Sequence, residues 1–108
     1  HVRYQPAGGI VVTENGLPLR EHDVQVAKQD AQRVCYLKQY LAQLARAMKV
    51  GVDVRGYFVW TLMDNFEWEQ GYEERFGIIH VDFETQQRRL KDSAHWYADC
   101  IDSNGSVL

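Results

Sequence analysis

Apolar positions along the chain follow two different periods, and the change between them marks the elements. Ile10, Val11 and Val12 are consecutive β-formers, Thr13 follows, and the run ends on Glu14. This predicts a short buried strand over residues 10–13, with a carboxylate where it stops. Asn15-Gly16 tolerates positive φ and predicts a turn directly afterwards. Residues 17–29 are polar and irregular around Pro18, a long loop with room for a helical turn. Asp30 is a candidate N-cap. From there Val34, Leu37, Leu41, Leu44 and Met48 recur at spacings of 3, 4, 3 and 4, the apolar stripe of an amphipathic helix. Lys38, Gln43, Arg46 and Lys49 lie on other faces. The basic residues near the end complement the helix dipole, and Gly51 is a natural stop.

The second strand lies within residues 52–62. Tyr57 to Leu62 (YFVWTL) carries no charge and does not alternate, which predicts a strand buried on both faces, as in a parallel sheet. Residues 64–77 (DNFEWEQGYEERFG) mix aromatic and acidic side chains with two glycines and read as a structured loop. Residues 78–83 alternate in part, a short strand or hairpin arm, and residues 85–89 are polar. Leu90, Ala94, Tyr97 and Ile101 then repeat at 4, 3 and 4, a second amphipathic helix ended by Asn104-Gly105. Strand, helix, strand is a βαβ unit, whose crossover is right-handed in nearly all cases. The fold class is therefore α/β. Two parallel strands do not close a barrel, and they leave one face and both edges open. The pattern reads as part of a larger α/β fold.

Composition narrows the function classes. The 108 residues are enough for one small domain, and with 45% hydrophobic and 25% charged residues the chain is globular. A net charge of −3 argues against nucleic acid. No apolar run approaches the roughly 20 residues that span a bilayer, so no membrane partner is expected. Residues 1–5 are polar and aromatic rather than a signal segment. The absence of an initial methionine reads as a fragment or a processed product. Cys35 and Cys100 each fall in a helical pattern without CxxC spacing. They read as two packed thiols in a reducing compartment, which favours the cytoplasm slightly over secretion. His1, His22, His80 and His95 form no i, i+4 pair and no Cys-His cluster, so no metal site is assigned. Phosphate-cradling, dinucleotide and serine-nucleophile motifs are also absent from the sequence, and no cofactor is expected.

Chemistry concentrates at Glu14 and in the aromatic-acidic segment, both of which follow the carboxyl ends of the predicted strands. In parallel α/β folds that end gathers the reacting groups. Trp60, Glu67, Trp68 and Phe76 offer a carboxylate flanked by rings. A sugar suits such a set: its hydroxyls donate to the carboxylate, and its C–H face packs on an indole. The bland alternative is that these aromatics are core and Glu67 rim solvation. A retaining glycosidase needs two carboxyl groups about 5–5.5 Å apart. Glu14 qualifies as one. On position, only Asp64 and Glu67 qualify as the other, while Glu69, Glu73 and Glu74 read as solvated.

At these residues the sequence closely resembles a known family. VTENG and the block GVDVRGYFVWTLMDNFEWEQGYEERFGIIHVDFETQQRRLKDSAHWY are similar to the C-terminal part of family 1 glycoside hydrolases, the β-glucosidases, over about residues 4–104. The resemblance implies a partial (β/α)8 TIM barrel, with residues 1–108 forming its last two βα units, strands 7 and 8, and no separate domains. It implies that Glu14 is the catalytic nucleophile. Trp60 would line the glycone pocket, Glu67 would accept from the 4- and 6-hydroxyls, Trp68 would contact the 3-hydroxyl, and Phe76 would close the wall. Members acting on 6-phosphorylated sugars lack the Glu-Trp pair, so an unphosphorylated glycone such as β-glucose is expected, with β-galactose or β-fucose as further options.

The family's acid/base glutamate belongs to an Asn-Glu-Pro motif on the fourth strand, which does not occur in these residues. Neither do the sugar-holding residues of the earlier strands or the tyrosine of the sixth. The same resemblance makes Glu67 a substrate ligand, so neither it nor Asp64 replaces the missing acid/base. The expectation is β-glucosidase chemistry within a complete barrel, with the N-terminal remainder of the barrel as partner and a β-glucoside or oligosaccharide as substrate. The 108 residues alone are expected to be inactive. Two other readings stand beside it: a non-catalytic module binding a sugar or a partner chain through exposed barrel edges, and a truncated gene product.

Overall fold

Strand β1 (Ile10–Asn15) lies parallel to strand β2 (Val54–Val59) in the computed structural model, which describes residues 3–21 and 23–108. The readings made on His1 and His22 therefore lie outside the described residues. Between the two strands run α1 (Val24–Lys28) and α2 (Ala31–Lys49). After β2 comes the 64–77 segment with a 3-10 turn over Trp68–Gln70. The antiparallel hairpin β3 (Ile79–Val81) and β4 (Arg88–Leu90) and helix α3 (Asp92–Asp102) complete the order. The long loop holds a real helical turn, α1, because the Asp23 carboxylate accepts from the amides of Gln25 (2.7 Å) and Val26 (3.3 Å). Gly51 adopts φ +91° after α2, the left-handed stop that a side chain resists.

Helices cover one face of the β1–β2 pair and leave the other bare. The core gathers Leu37 of α2, Ile78 and Ala94 of α3, with Val59, Tyr36 and Tyr97 packed against them. On the bare face Val11 is 47% and Phe58 60% exposed, and Leu62 just beyond is 56% exposed. The expected double-sided burial of residues 57–62 is thus corrected: the apolar run is present, but nothing in these residues covers its second face. The outline agrees. The radius of gyration is 15.5 Å, against about 13 Å for a compact domain of this length. The accessible surface is 7408 Å², roughly 1,200 Å² above that of a compact monomer of this mass.

Other details depart from the periodic pattern at its ends. Met48 (51%), Leu90 (50%) and Ile101 (60%) are exposed, and Ser93, Ala94 and Cys100 form the buried side of α3 instead. Cys100 is buried but Cys35 is exposed, so only one of the two thiols is packed. Asp30 stands at the N-cap of α2 yet makes no side-chain cap bond. Its carboxylate is used by Arg33 and by Ser93 of α3. Glu74, expected in solvent, pairs with Arg20 at 2.8 Å and is 18% exposed.

Buried ion pairs help hold the elements together. Arg33 and Lys91 are among the fully buried side chains. A chain of alternating charges runs Asp30, Arg33, Glu21, Lys91, Asp64, Arg75. It joins the segment before α1, both ends of the 64–77 loop and the start of α3. Three carboxylates and three cations balance, which is what makes burial of so many charges tolerable.

Candidate active site

Glu14 owes its position to an irregularity in the sheet. Val12 pairs with Tyr57 and Asn15 with Val59, so β1 spends three residues where β2 spends two. Such an extra residue re-aims a side chain. Ile10 and Val12 are half-buried and Val11 and Thr13 exposed. The alternation then slips, so that Glu14 is exposed and Asn15 half-buried. Asn15 is clamped. Tyr57 donates to its Oδ1 at 2.8 Å, and its Nδ2 donates to Tyr36 Oη at 3.0 Å. Burial pushes the phenols of both tyrosines above their ordinary value.

The expected positive-φ turn at Asn15-Gly16 is not what forms. β1 continues through Asn15, and neither residue has positive φ. Glycine is required at 16 for a different reason: a Cβ there would lie 1.6 Å from the backbone oxygen of Trp60. The two strand ends touch backbone to backbone, sealed by Trp60 N donating to Asn15 O at 2.8 Å.

Trp60 continues from β2 beside Glu14, and its indole Nε1 donates to Glu67 Oε1 at 3.0 Å. Glu67 and Trp68 come from the loop. Trp68 holds φ +45°, rare for a bulky residue. Glu67 N bonds Gly71 O (2.7 Å) and Gly71 N bonds Trp68 O (3.1 Å), fixing the tight turn that presents the indole. Trp68 is 80% exposed, which removes the reading of this ring as core. Phe76, at the far end of the loop, accepts from Thr61 N through its carbonyl at 3.2 Å.

Glu14, Trp60, Glu67, Trp68 and Phe76 thus line one open cleft of about 370 Å³, together with Asn15 and Gly16. Its described lining holds two carboxylates, three aromatic rings and no cation. Asp64 is not in it. That carboxylate is fully buried and saturated by donors, so it is excluded as a reacting group. Tyr36, Tyr57, Glu21, Arg33, Arg75 and Lys91 carry no sequence signal of the parts they play here. The Asn-Gly pair was the one local signal, and it pointed to a turn. Among the described residues no group of His, Cys, Asp and Glu is placed to hold a metal, and no helix is long and apolar enough to cross a membrane.

The family model of glycosyl hydrolase family 1 matches residues 1–106. The chain belongs to that family. Among its family 1 relatives, Beta-glucosidase A of Acetivibrio thermocellus is 46% identical over 97 residues, 89% of this chain and 22% of that protein. A 6-phospho-beta-galactosidase of Streptococcus equi subsp. zooepidemicus is 48% identical over 88 residues, 82% of this chain and 19% of the other. The Thermotoga maritima beta-glucosidase in complex with deoxynojirimycin overlays with TM-score 0.85 at 42% identity, covering 91% of this chain and 23% of that one. The chain spans about a fifth of the length of these relatives. Its α/β arrangement is that of part of a family 1 TIM barrel.

Proposed function

We propose that residues 1–108 form the last two βα units of a family 1 barrel, strands 7 and 8 being β1 and β2, and supply the nucleophile half of a retaining β-glucosidase site. The observation that carries this reading is the single cleft at the carboxyl ends of two parallel strands. There Glu14 shares a lining with a loop carboxylate and three rings. Glu14 attacks the anomeric carbon and the glycosidic oxygen leaves, protonated by a carboxylic acid from the remainder of the barrel. That second group then takes a proton from water, which displaces the sugar from Glu14. Glu67, steadied by the Trp60 N–H, accepts from the glycone hydroxyls, and Trp68 and Phe76 cover its apolar face. A phosphorylated sugar fits less well. Its dianion would meet two carboxylates with no cation in the described lining, which supports an unphosphorylated glycone such as β-glucose.

The bare face of the β1–β2 pair, with Val11 and Phe58, would be covered by the rest of the barrel. The 108 residues alone would not turn over substrate, because both carboxylates must share one frame. The test joins this chain to the preceding part of the Thermotoga maritima enzyme and assays 4-nitrophenyl β-glucoside. Activity is expected from the assembled barrel, none from the chain alone, and loss of about 10⁴-fold or more in Glu14→Gln. Turnover by the isolated chain, or an assembled barrel indifferent to Glu14→Gln, would reject the proposal.

A further inference from the structure

One buried carboxylate closes the neck of the 64–77 loop. Asp64 opens the loop and Gly77 ends it. Asp64 Oδ1 accepts from Gly77 N at 3.0 Å and from Lys91 Nζ at 3.1 Å. Oδ2 accepts from Arg75 Nη1 at 2.9 Å and from Val81 N at 3.3 Å. Asp64 N donates to Ile79 O at 3.0 Å. Four donors, two of them cationic, thus converge on its two oxygens. Position 77 admits no side chain, since a Cβ would lie 2.2 Å from Asp64 N. The staple is anchored outward. Arg75 also donates to Val81 O at 2.8 Å, and Lys91 also binds Glu21. The stretch between the two ends carries Glu67, Trp68 and Phe76, whereas Glu14 stands on β1.

We propose that Asp64 is a positioning residue for sugar recognition: held by Arg75 and Lys91, it sets where the loop places Glu67 and Trp68 and leaves Glu14 unaffected. This rests on the reading that the cleft binds a glycone. Asn at 64 keeps the shape but turns an NH2 toward one of the two donor pairs, Gly77 and Lys91 or Arg75 and Val81. The neck then loosens, and the loss falls on recognition of hydroxyls by the loop rather than on nucleophilic attack.

The test uses the assembled barrel with 4-nitrophenyl β-glucoside and 4-nitrophenyl β-xyloside, which lacks the hydroxymethyl group assigned to Glu67. Asp64→Asn is expected to raise KM for the glucoside about tenfold and for the xyloside less than about threefold, with kcat for both within about threefold. Parallel losses on both substrates, or a fall in kcat alone, would show a merely structural part and overturn the proposal. Arg75→Lys keeps a cation but ends one bond short of Nη1, which makes both the bond to Asp64 Oδ2 and that to Val81 O, and the same signature is expected at smaller size. Should Asp64→Asn not assemble, an unchanged glucoside-to-xyloside ratio in Arg75→Lys overturns it. Glu67→Gln separates the two ideas. If it leaves the ratio unchanged, the glycone reading of the cleft fails. If it collapses the ratio and Asp64→Asn does not, only the positioning role falls.

Discussion

Gly16→Ala places one methyl group where two backbones meet. The new Cβ would lie 1.6 Å from Trp60 O and 2.8 Å from Trp60 C, where real Cβ contacts essentially never fall below 3.0 Å. The obstacle is main chain at the end of a strand, not the tip of a flexible side chain, so it does not swing aside. The strand ends must part by about 1.4 Å, which breaks the Trp60 N–Asn15 O bond and displaces Trp60 from Glu67. Overpacking of this kind costs about 1–3 kcal/mol, occasionally more, and one lost hydrogen bond adds about 1 kcal/mol. We expect a total near 3 kcal/mol, which lowers the urea midpoint of the chain by about 1.5 M for a slope near 2 kcal/mol/M. Gly8→Ala is the control: its Cβ meets nothing within 4 Å and its φ is not positive. It should change stability by no more than about 0.5 kcal/mol. In the assembled barrel Gly16→Ala should also lower kcat/KM about 100-fold, because displacement on this scale misaligns the site. Equal midpoints for the two alanine variants would refute the steric argument.

Three further outcomes follow from the packing. Arg33→Met leaves Glu21 and Asp30 short of a buried partner and should cost about 3–5 kcal/mol by urea unfolding, whereas Arg55→Met, whose pair with Asp53 is exposed, should leave the midpoint unchanged. Burial, and then the nearby Arg75 charge, hold the His80 imidazole below its ordinary 6.5. Its contribution is therefore fully present above that value and lost as pH falls through the depressed one, so stability should decline as the pH is taken down below 6.5, and His80→Gln should flatten that slope. Trp68→Ala removes an exposed ring and should leave stability within about 0.5 kcal/mol. The same change should lower kcat/KM for the glucoside about tenfold in the assembled barrel, checked by urea titration and steady-state rates.

The sequence by itself determined the elements, apart from β4 (Arg88–Leu90), whose Leu90 it counts into the last helix, and the types of residue that meet at their ends. Burial periodicity is local, so Leu37 and Leu41 of α2, the strand around Val11 and Val12, and the helix around Ala94 are visible over windows of a dozen residues. A carboxylate ending one strand, and an aromatic-acidic loop following the next, are visible for the same reason, as is the family they resemble. The tertiary structure alone decided what depends on distant partners. An arginine or lysine in a polar stretch looks solvated until its neighbours are known. Lys91 meets Glu21 across 70 positions and Arg33 meets Arg75 O across 42, so the buried charges left no local trace. Gly16 answers to Trp60 rather than to the turn preference of Asn-Gly. Asp64, one of two carboxylates eligible by position, proved to be a staple because four donors converge on it from Arg75, Gly77, Val81 and Lys91. Charge and steric fit are properties of converging neighbours, and only the folded chain sets which neighbours converge.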